Sequence, residues 1–230
     1  MKLLKTTAVA GLLVASSAAT ALELSGNVAL TSDYIWRGAS QTDGAPAIQG
    51  GFDADLGNGL YAGVWASNVD FSDPKIVDDE IVDYDDASIE VDLYGGWAGE
   101  FNGVGVDVGY IHYHYSTEGY QLDELYAGVS FGPASLTFYY DLGLAEDELG
   151  NYTDLGLDLG EYNGVAFSAH AGYYDIDSKQ GGDDYWDYKL AASTSMFTVD
   201  WELALTGTDE NVSDGDALDE AVVLTVSKSL

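Results

Sequence analysis

Residues 24–36, LSGNVALTSDYIW, alternate between two kinds of side chain, and this alternation decides the fold class. Leucine, valine, tyrosine and tryptophan take most even positions, whereas serine, asparagine, threonine and aspartate take most odd ones. A period of two with one apolar face predicts a β-strand. The pattern recurs at regular spacing and predicts twelve strands, over residues 24–37, 45–56, 60–71, 87–98, 104–115, 124–132, 135–143, 152–160, 165–174, 186–195, 196–206 and 220–230.

The connections between these strands alternate in length. Short, glycine-containing turns occur at 57–59 (GNG), 99–103 (GEFNG), 132–134 (GPA) and 160–164 (GEYNG). Longer, polar and often acidic connections occur at 38–44, 72–86, 116–123, 144–151, 175–185 and 207–219. Short turns on one rim, long loops on the other and an even number of strands about ten residues long are typical of transmembrane barrels. We predict an all-β, antiparallel, up-and-down transmembrane β-barrel of about twelve strands, with short periplasmic turns and long acidic extracellular loops.

The N-terminus has the composition of a secretory signal. Lys2 and Lys5 precede an apolar run over 8–19, and Ala19-Thr20-Ala21 has the small-x-small form of a cleavage site. The run is too short to span a bilayer as a helix. We therefore expect residues 1–21 to be a cleaved signal peptide and 22–230 to be a single barrel domain in the bacterial outer membrane.

The charge balance excludes several classes of partner. The chain has 40 acidic residues against 7 lysines and arginines, which argues against nucleic acid as a partner. Cysteine is absent, so neither disulfides nor a thiolate metal site is available. We expect no cofactor.

Charged residues in the predicted strands fall on one side. Eleven strand carboxylates lie on the phase opposite to the leucine, isoleucine, valine and phenylalanine residues. A lysine or arginine facing lipid at mid-bilayer would cost about 2–4 kcal/mol, and an acid somewhat less. Lys228 faces outward two residues from the C-terminus, where its long side chain can reach the interface. The predicted lumen-lining residues are Asp33, Arg37, Gln49, Asp53, Asp55, Glu90, Asp92, Asp107, Asp141, Asp154, Asp158, His170, Lys189, Asp200 and Glu202.

A soluble β-sandwich or a lipocalin-like barrel would show the same alternation. Its apolar phase would form a core and its polar phase would face water, and its loop lengths would not need to alternate between rims. Extraction from membranes by salt alone would reveal such a protein.

Metal and catalytic motifs are weak. Asp209, Asn211, Ser213 and Glu220 match ligand positions of a calcium loop, but Asp214 stands where the sharp-turn glycine belongs. His112 and His114 face outward near the upper rim, and His170 faces the lumen without a nucleophile motif nearby. We predict that the protein is not an enzyme.

An acidic lumen with low-dielectric walls concentrates cations and repels anions. Twelve strands lie between barrels filled by side chains and barrels with a wide channel, so both a narrow path and a salt-bridged plug remain open. The first hypothesis is a porin passing small solutes or ions with a preference for cations. The alternative is a non-conducting structural or surface barrel whose acidic loops bind divalent cations or partners. Either barrel would contact outer-membrane lipid and lipopolysaccharide.

Residues 28–71, VALTSDYIWRGASQTDGAPAIQGGFDADLGNGLYAGVWASNVDF, carry a family resemblance. This stretch resembles the N-terminal signature of the TorF family of proteobacterial outer-membrane porins. The resemblance implies an outer-membrane barrel inserted by the barrel assembly machinery through its C-terminal strand. The chain ends at Leu230, whereas such barrels usually end in an aromatic residue.

Arg37 is one of few basic residues, and the alternation of the first strand predicts which way its side chain points. We expect Trp36 to face lipid in the upper aromatic girdle and Arg37 to face the lumen near the outer mouth. There it would lie near Gln49 and Asp53, or near carboxylates of other strands. Its role would be either in permeation or in a register-fixing salt bridge.

Overall fold

The computed structural model describes residues 22–77, 80–117, 121–144, 149–176, 183–209 and 220–230, and for 72–86 it describes the backbone alone. The expected signal peptide, 1–21, and two members of the calcium-loop motif, Asn211 and Ser213, lie outside these residues. In the described part of the chain, no helix is long and apolar enough to cross a bilayer.

Twelve strands form one closed antiparallel barrel, which confirms the predicted fold class. Each strand pairs with its neighbours in sequence, and the first and last strands close the ring through pairs such as Asn27 with Ser229. The barrel strands are β1 (Glu23–Thr31), β4 (Ala47–Gly57), β5 (Leu60–Val77), β6 (Glu80–Phe101), β7 (Val104–Tyr115), β8 (Leu122–Phe131), β9 (Ala134–Asp141), β10 (Gly150–Tyr162), β11 (Val165–Ile176), β12 (Tyr185–Met196), β13 (Val199–Thr208) and β14 (Glu220–Ser229). Two short strands, β2 (Ile35–Trp36) and β3 (Ala39–Ser40), pair with each other outside the barrel wall.

Asparagine–glycine turns define one rim, called here the lower rim. Asn58, Asn102 and Asn163 have φ angles of 56°, 53° and 52°, and each is followed by a glycine with φ near 80°. Positive φ at both central residues is the type I′ turn, whose twist matches that of the strands it joins. The other rim, which carries the long connections, is called the upper rim.

The two sides of the barrel wall differ in chemistry. Along β6, Leu93 is 53% exposed on the exterior, whereas the adjacent Asp92 is 2% exposed and points inward. The same alternation puts large apolar side chains such as Leu125, Leu155, Leu203 and other exposed leucines and phenylalanines around the outside. An apolar exterior with a polar interior is the arrangement that a lipid bilayer requires of a barrel.

Two predicted boundaries were wrong. β1 ends at Thr31 rather than at residue 37, and the chain over 32–46 turns into the barrel; we call this segment the lumenal hairpin. The connection predicted at 72–86 is largely a continuation of β5 and β6, which pair through Val77 and Glu80. Its acidic composition suggested a loop, but its backbone continues the antiparallel pairing of the two strands.

The expectation that Trp36 faces lipid was also wrong. Trp36 packs edge-on against Tyr113 of β7 and Tyr174 of β11, with ring centroids 5.9 and 6.1 Å apart. The phase argument failed because Asp33 ends the strand alternation. Its Oδ1 accepts hydrogen bonds from Ser40 Oγ and Thr42 Oγ1, which closes the segment on itself.

Candidate functional site

The lumenal hairpin crosses the upper lumen. Near its start, Tyr34 packs edge-on against Trp65 of β5 at 5.4 Å, and its hydroxyl donates to Glu90 of β6 at 3.1 Å. At its tip, the Tyr185 hydroxyl of β12 donates to the Arg37 carbonyl oxygen at 2.8 Å. Contacts to strands on opposite sides of the barrel mean that the hairpin spans the lumen at this depth.

Arg37 and Glu124 form the central ion pair of the hairpin. Arg37 Nη2 donates to both carboxylate oxygens of Glu124 at 2.7 Å, and the two side chains are 4% and 0% exposed. The Tyr113 hydroxyl donates to the same carboxylate at 3.1 Å. Arg37 lies in the hairpin and not in a membrane-spanning strand. Burial alone would lower the pKa of its guanidinium, but the charge of Glu124 raises that pKa well above its ordinary value. The guanidinium is therefore charged at every physiological pH.

Tyrosines line half of the lumen wall at the depth of Arg37. They stand directly opposite one another on consecutive strands β8 to β12, so that neighbouring ring centroids are 5.6 to 6.1 Å apart. We call this set the tyrosine belt: Tyr126, Tyr139, Tyr152, Tyr174 and Tyr185.

Three rings of the belt and one ring of the hairpin surround the guanidinium. The Arg37 Cζ atom lies 5.1, 4.5 and 5.0 Å from the ring centroids of Tyr139, Tyr152 and Tyr174. It lies 4.2 Å from the Trp36 ring. Each contact is within the range of a cation–π interaction. We call Glu124, Tyr139, Tyr152 and Tyr174 the cation cage.

A second charged cluster lies next to the cage. His170 Nδ1 contacts Asp154 at 2.8 Å and its Nε2 contacts Asp187 at 2.7 Å. Because each ring nitrogen faces a carboxylate, both must carry a proton, and the ring is an imidazolium. Asp187 also accepts a hydrogen bond from the Tyr152 hydroxyl at 2.9 Å. The cluster therefore ties β10, β11 and β12 together across the lumen wall.

Water reaches the lumen at this second cluster. The side chains of His170 and Asp154 are 23% and 28% exposed, and that of Lys189, which pairs with Glu202 at 2.5 Å, is 33% exposed. Inward residues on the neighbouring strands are small, among them Ser135, Gly156, Ser168 and Ala191. Solvent therefore reaches carboxylates on the wall of the lower lumen, whereas the hairpin spans the upper lumen.

The structure places the other sequence-predicted residues on the inner side, but apart from one another. Hydroxyl groups donate to Asp53, Asp107 and Asp200, from Tyr94, Tyr61 and Ser195 respectively. Backbone amides donate to Asp55, Asp141 and Asp158, from Gly57, Leu149 and Gly160. Gln49 contacts Ser67, and the buried Glu90 and Asp92 lie beneath Tyr34.

The sequence analysis missed Glu124 and the tyrosine belt. Glu124 has the inward phase, opposite to the exposed Leu125 and Val129, so the alternation itself could have found it. The expected position of Arg37 near Gln49 and Asp53 was wrong, and the stated alternative, a carboxylate of another strand, is the observed partner.

A carboxylate of β8 lies on the outward phase. Asp123 of β8 is 8% exposed, accepts a hydrogen bond from the Tyr110 hydroxyl and lies 2.8 Å from His112 Nδ1. These contacts shield its charge on the lipid side, near the upper rim.

No group of histidine and acidic residues in the described part of the chain could hold a metal ion. The two described members of the calcium-loop motif take part in separate contacts. Asp209 accepts from the Trp186 amide, and Glu220 accepts from the Tyr188 hydroxyl.

A family model described as "Bacterial protein of unknown function (Gcw_chp)" matches residues 15–230. The chain belongs to this family. Membership of a bacterial family is thus shown, whereas the TorF name stays a prediction. No curated protein matches the chain.

Several solved structures are similar to this Gcw_chp chain. A KdgM porin matches with a TM-score of 0.56 at 8% identity, over 89% of this chain and 97% of the other. Outer membrane phospholipase A from Escherichia coli matches with a TM-score of 0.45 at 13% identity, over 89% and 88% of the two chains. OccD1 (OprD) matches with a TM-score of 0.36 at 13% identity, over 91% and 65%. At such identities the KdgM match shows a shared fold of the outer-membrane porin type.

Replacing His170 with glutamine should destabilise the Gcw_chp barrel, because glutamine carries no charge and leaves Asp154 and Asp187 facing each other. The partial exposure of the cluster reduces the effect below that of a fully buried pair, to about 1–3 kcal/mol. Urea unfolding in detergent micelles measures the loss. His114→Gln, at an exposed position on β7, is the control. A variant as stable as the wild type would show that the imidazolium does not hold these strands together.

Proposed function

We propose that the protein is a passive outer-membrane channel that admits small cations, with its upper lumen narrowed by the lumenal hairpin. One observation carries the proposal: a closed barrel with an apolar exterior encloses an aqueous lower lumen whose wall is acidic. A barrel wall that is apolar on the outside and polar on the inside suits the passage of polar solutes through a bilayer. The proposal assigns no chemical reaction to the barrel.

The preference for cations follows from the pairing of lumenal charges. Arg37, His170 and Lys189 each contact a carboxylate, so their positive charge is neutralised locally. Among the described residues, Asp55 and Asp158 have backbone amides as partners but no cation. Unneutralised carboxylates near the lower mouth lower the potential there and attract cations.

Purified protein in a planar bilayer under a KCl gradient should give a reversal potential of the sign set by potassium. The double variant Asp55→Asn/Asp158→Asn should move that potential toward zero, because asparagine keeps the hydrogen bond to the backbone amide but loses the charge. Glu220→Gln, on the outward phase at the upper rim, is the control and should leave selectivity unchanged. A chloride-signed potential, or identical values in both variants, would contradict the proposal.

The second candidate is a non-conducting barrel, and the lumenal hairpin favours it. A lumen crossed by a packed hairpin with a buried ion pair can be a stabilising plug. A folded protein that stays silent in the bilayer, together with silent variants that release the hairpin, would favour this candidate.

We further propose that residues 1–21 are removed on export and that the barrel resides in the outer membrane, inserted through its C-terminal strand. The apolar exterior supports this location, because it would be unstable in water. A mature protein that begins at Leu22 and resists extraction by high salt is the expected result. Release by salt alone would contradict it.

A further inference from the structure

Arg37 occupies a turn whose backbone suits another residue. Arg37 and Gly38 join β2 to β3 with φ angles of 48° and 82°. These values match those of the Asn58-Gly59, Asn102-Gly103 and Asn163-Gly164 turns at the lower rim. Asparagine tolerates this left-handed conformation, whereas a longer side chain such as that of arginine disfavours it. The backbone conformation of the turn therefore does not explain the arginine, and the contacts of its side chain do.

The surroundings of that side chain combine a carboxylate with aromatic faces. Glu124 supplies the counter-charge, and Tyr139, Tyr152 and Tyr174 supply faces at 4.5 to 5.1 Å. All four belong to barrel strands β8 to β11, so the cation cage remains when the hairpin moves away. A carboxylate with several aromatic faces is the usual means of recognising guanidinium and ammonium groups.

Arg37 satisfies the cage only in part. Nη2 makes both hydrogen bonds to Glu124, whereas Nη1 is buried and has no hydrogen-bond partner among the described residues. A buried donor without a partner destabilises the structure that holds it. The tethered guanidinium is thus an imperfect occupant, which a free cation with better placed donors can replace.

One buried side chain, Tyr152, separates the lower lumen from the cage. The Tyr152 hydroxyl lies 3.2 Å from His170 Nε2, and the ring of the same tyrosine stacks under Arg37. Because the His170 side chain is 23% exposed, a solute in the lower lumen is one side chain away from the guanidinium. Carboxylates on the lumen wall raise the local concentration of cations at that point.

We propose that the cation cage is a binding site for small alkylguanidinium solutes, which Arg37 occupies as an internal substitute while the hairpin is seated. A solute that takes the cage displaces Arg37 and frees the hairpin. This opening rests on the proposed function, since it names the solute class of that channel. Binding to the cage does not depend on conduction.

The test uses Arg37→Asn in detergent micelles, with ethylguanidinium as the probe and neutral N-ethylurea, its isostere, as the control ligand. Asparagine suits the turn and empties the cage. By calorimetry, the variant should bind ethylguanidinium at least about tenfold more tightly than the wild type, whose tethered Arg37 competes at high effective concentration. N-ethylurea should not bind. Adding Glu124→Gln to Arg37→Asn should abolish binding.

Three results would overturn the cage: no binding to Arg37→Asn, equal binding of N-ethylurea, or binding that survives Glu124→Gln. If Arg37→Asn does not fold, the test is trypsin cleavage of the wild-type protein. Trypsin cuts the Arg37–Gly38 bond only when the hairpin leaves the cage. Ethylguanidinium should then accelerate that cut several-fold, and unchanged cleavage would overturn the proposal. A barrel that binds ethylguanidinium but carries no current would support the cation cage and overturn the proposed channel. A barrel that conducts but does not bind ethylguanidinium would support the channel and overturn the cation cage.

Discussion

Glu124→Gln is expected to unseat the lumenal hairpin. The glutamine has the size of glutamate but no charge, so the Arg37 guanidinium would remain 4% exposed without a counter-ion. Breaking a buried ion pair by removing one partner costs about 3–5 kcal/mol. The hairpin should leave the lumen to hydrate Arg37, because leaving avoids most of that cost. We expect rapid trypsin cleavage after Arg37 and a several-fold rise in single-channel current through the emptied upper lumen.

Glu202→Gln is the matched control for this variant. Glu202 is also a lumenal carboxylate paired with a cation, but its partner Lys189 is 33% exposed and can be hydrated in place. Because this pair is partly exposed, its loss costs less than that of a fully buried pair, so the variant should keep the hairpin protected and the current near that of the wild type. If Glu124→Gln resists trypsin as well as Glu202→Gln does, the ion pair does not hold the hairpin.

Gly38→Ala should displace the hairpin without any change of charge. A Cβ atom at this position would lie 2.5 Å from Thr208 Cγ2 and 2.7 Å from Asp187 Cβ, so the methyl group has no room. The φ angle of 82° adds backbone strain for any residue other than glycine. The wall at β12 and β13 is hydrogen-bonded on both sides and cannot retreat, so the hairpin must move. Trypsin sensitivity and raised current are the expected results, with cation selectivity retained.

Gly44→Ala separates steric exclusion from backbone strain. Gly44 lies in the same hairpin segment at a φ of 70°, but a Cβ atom there has no neighbour within 4 Å. This variant carries the strain of about 1 kcal/mol alone and should keep the hairpin seated. Equal behaviour of the two alanine variants would show that the tip of the hairpin does not pack tightly against β12 and β13.

The alternation of side chains was sufficient to predict the barrel, its strand number and the inner side of most charged residues. These features depend on neighbours two residues apart, because a strand turns successive side chains to opposite faces. The Asn-Gly turns were equally readable, since the left-handed backbone of a type I′ turn favours those residues. Glu124 was within reach of the same reasoning through its phase on β8.

By itself, then, the sequence determined a closed wall with an apolar outer face and an acidic inner face. Only the tertiary structure decided that residues 32–46 fold into the lumen. Trp36 and Arg37 fit the phase of a continued first strand as well as they fit a hairpin, so no local pattern separates the two. The choice rests on Glu124, 87 positions away in the chain, and on tyrosines from β9 to β11. A buried charge is stable only where its partners converge, and such convergence exists only once the barrel has closed.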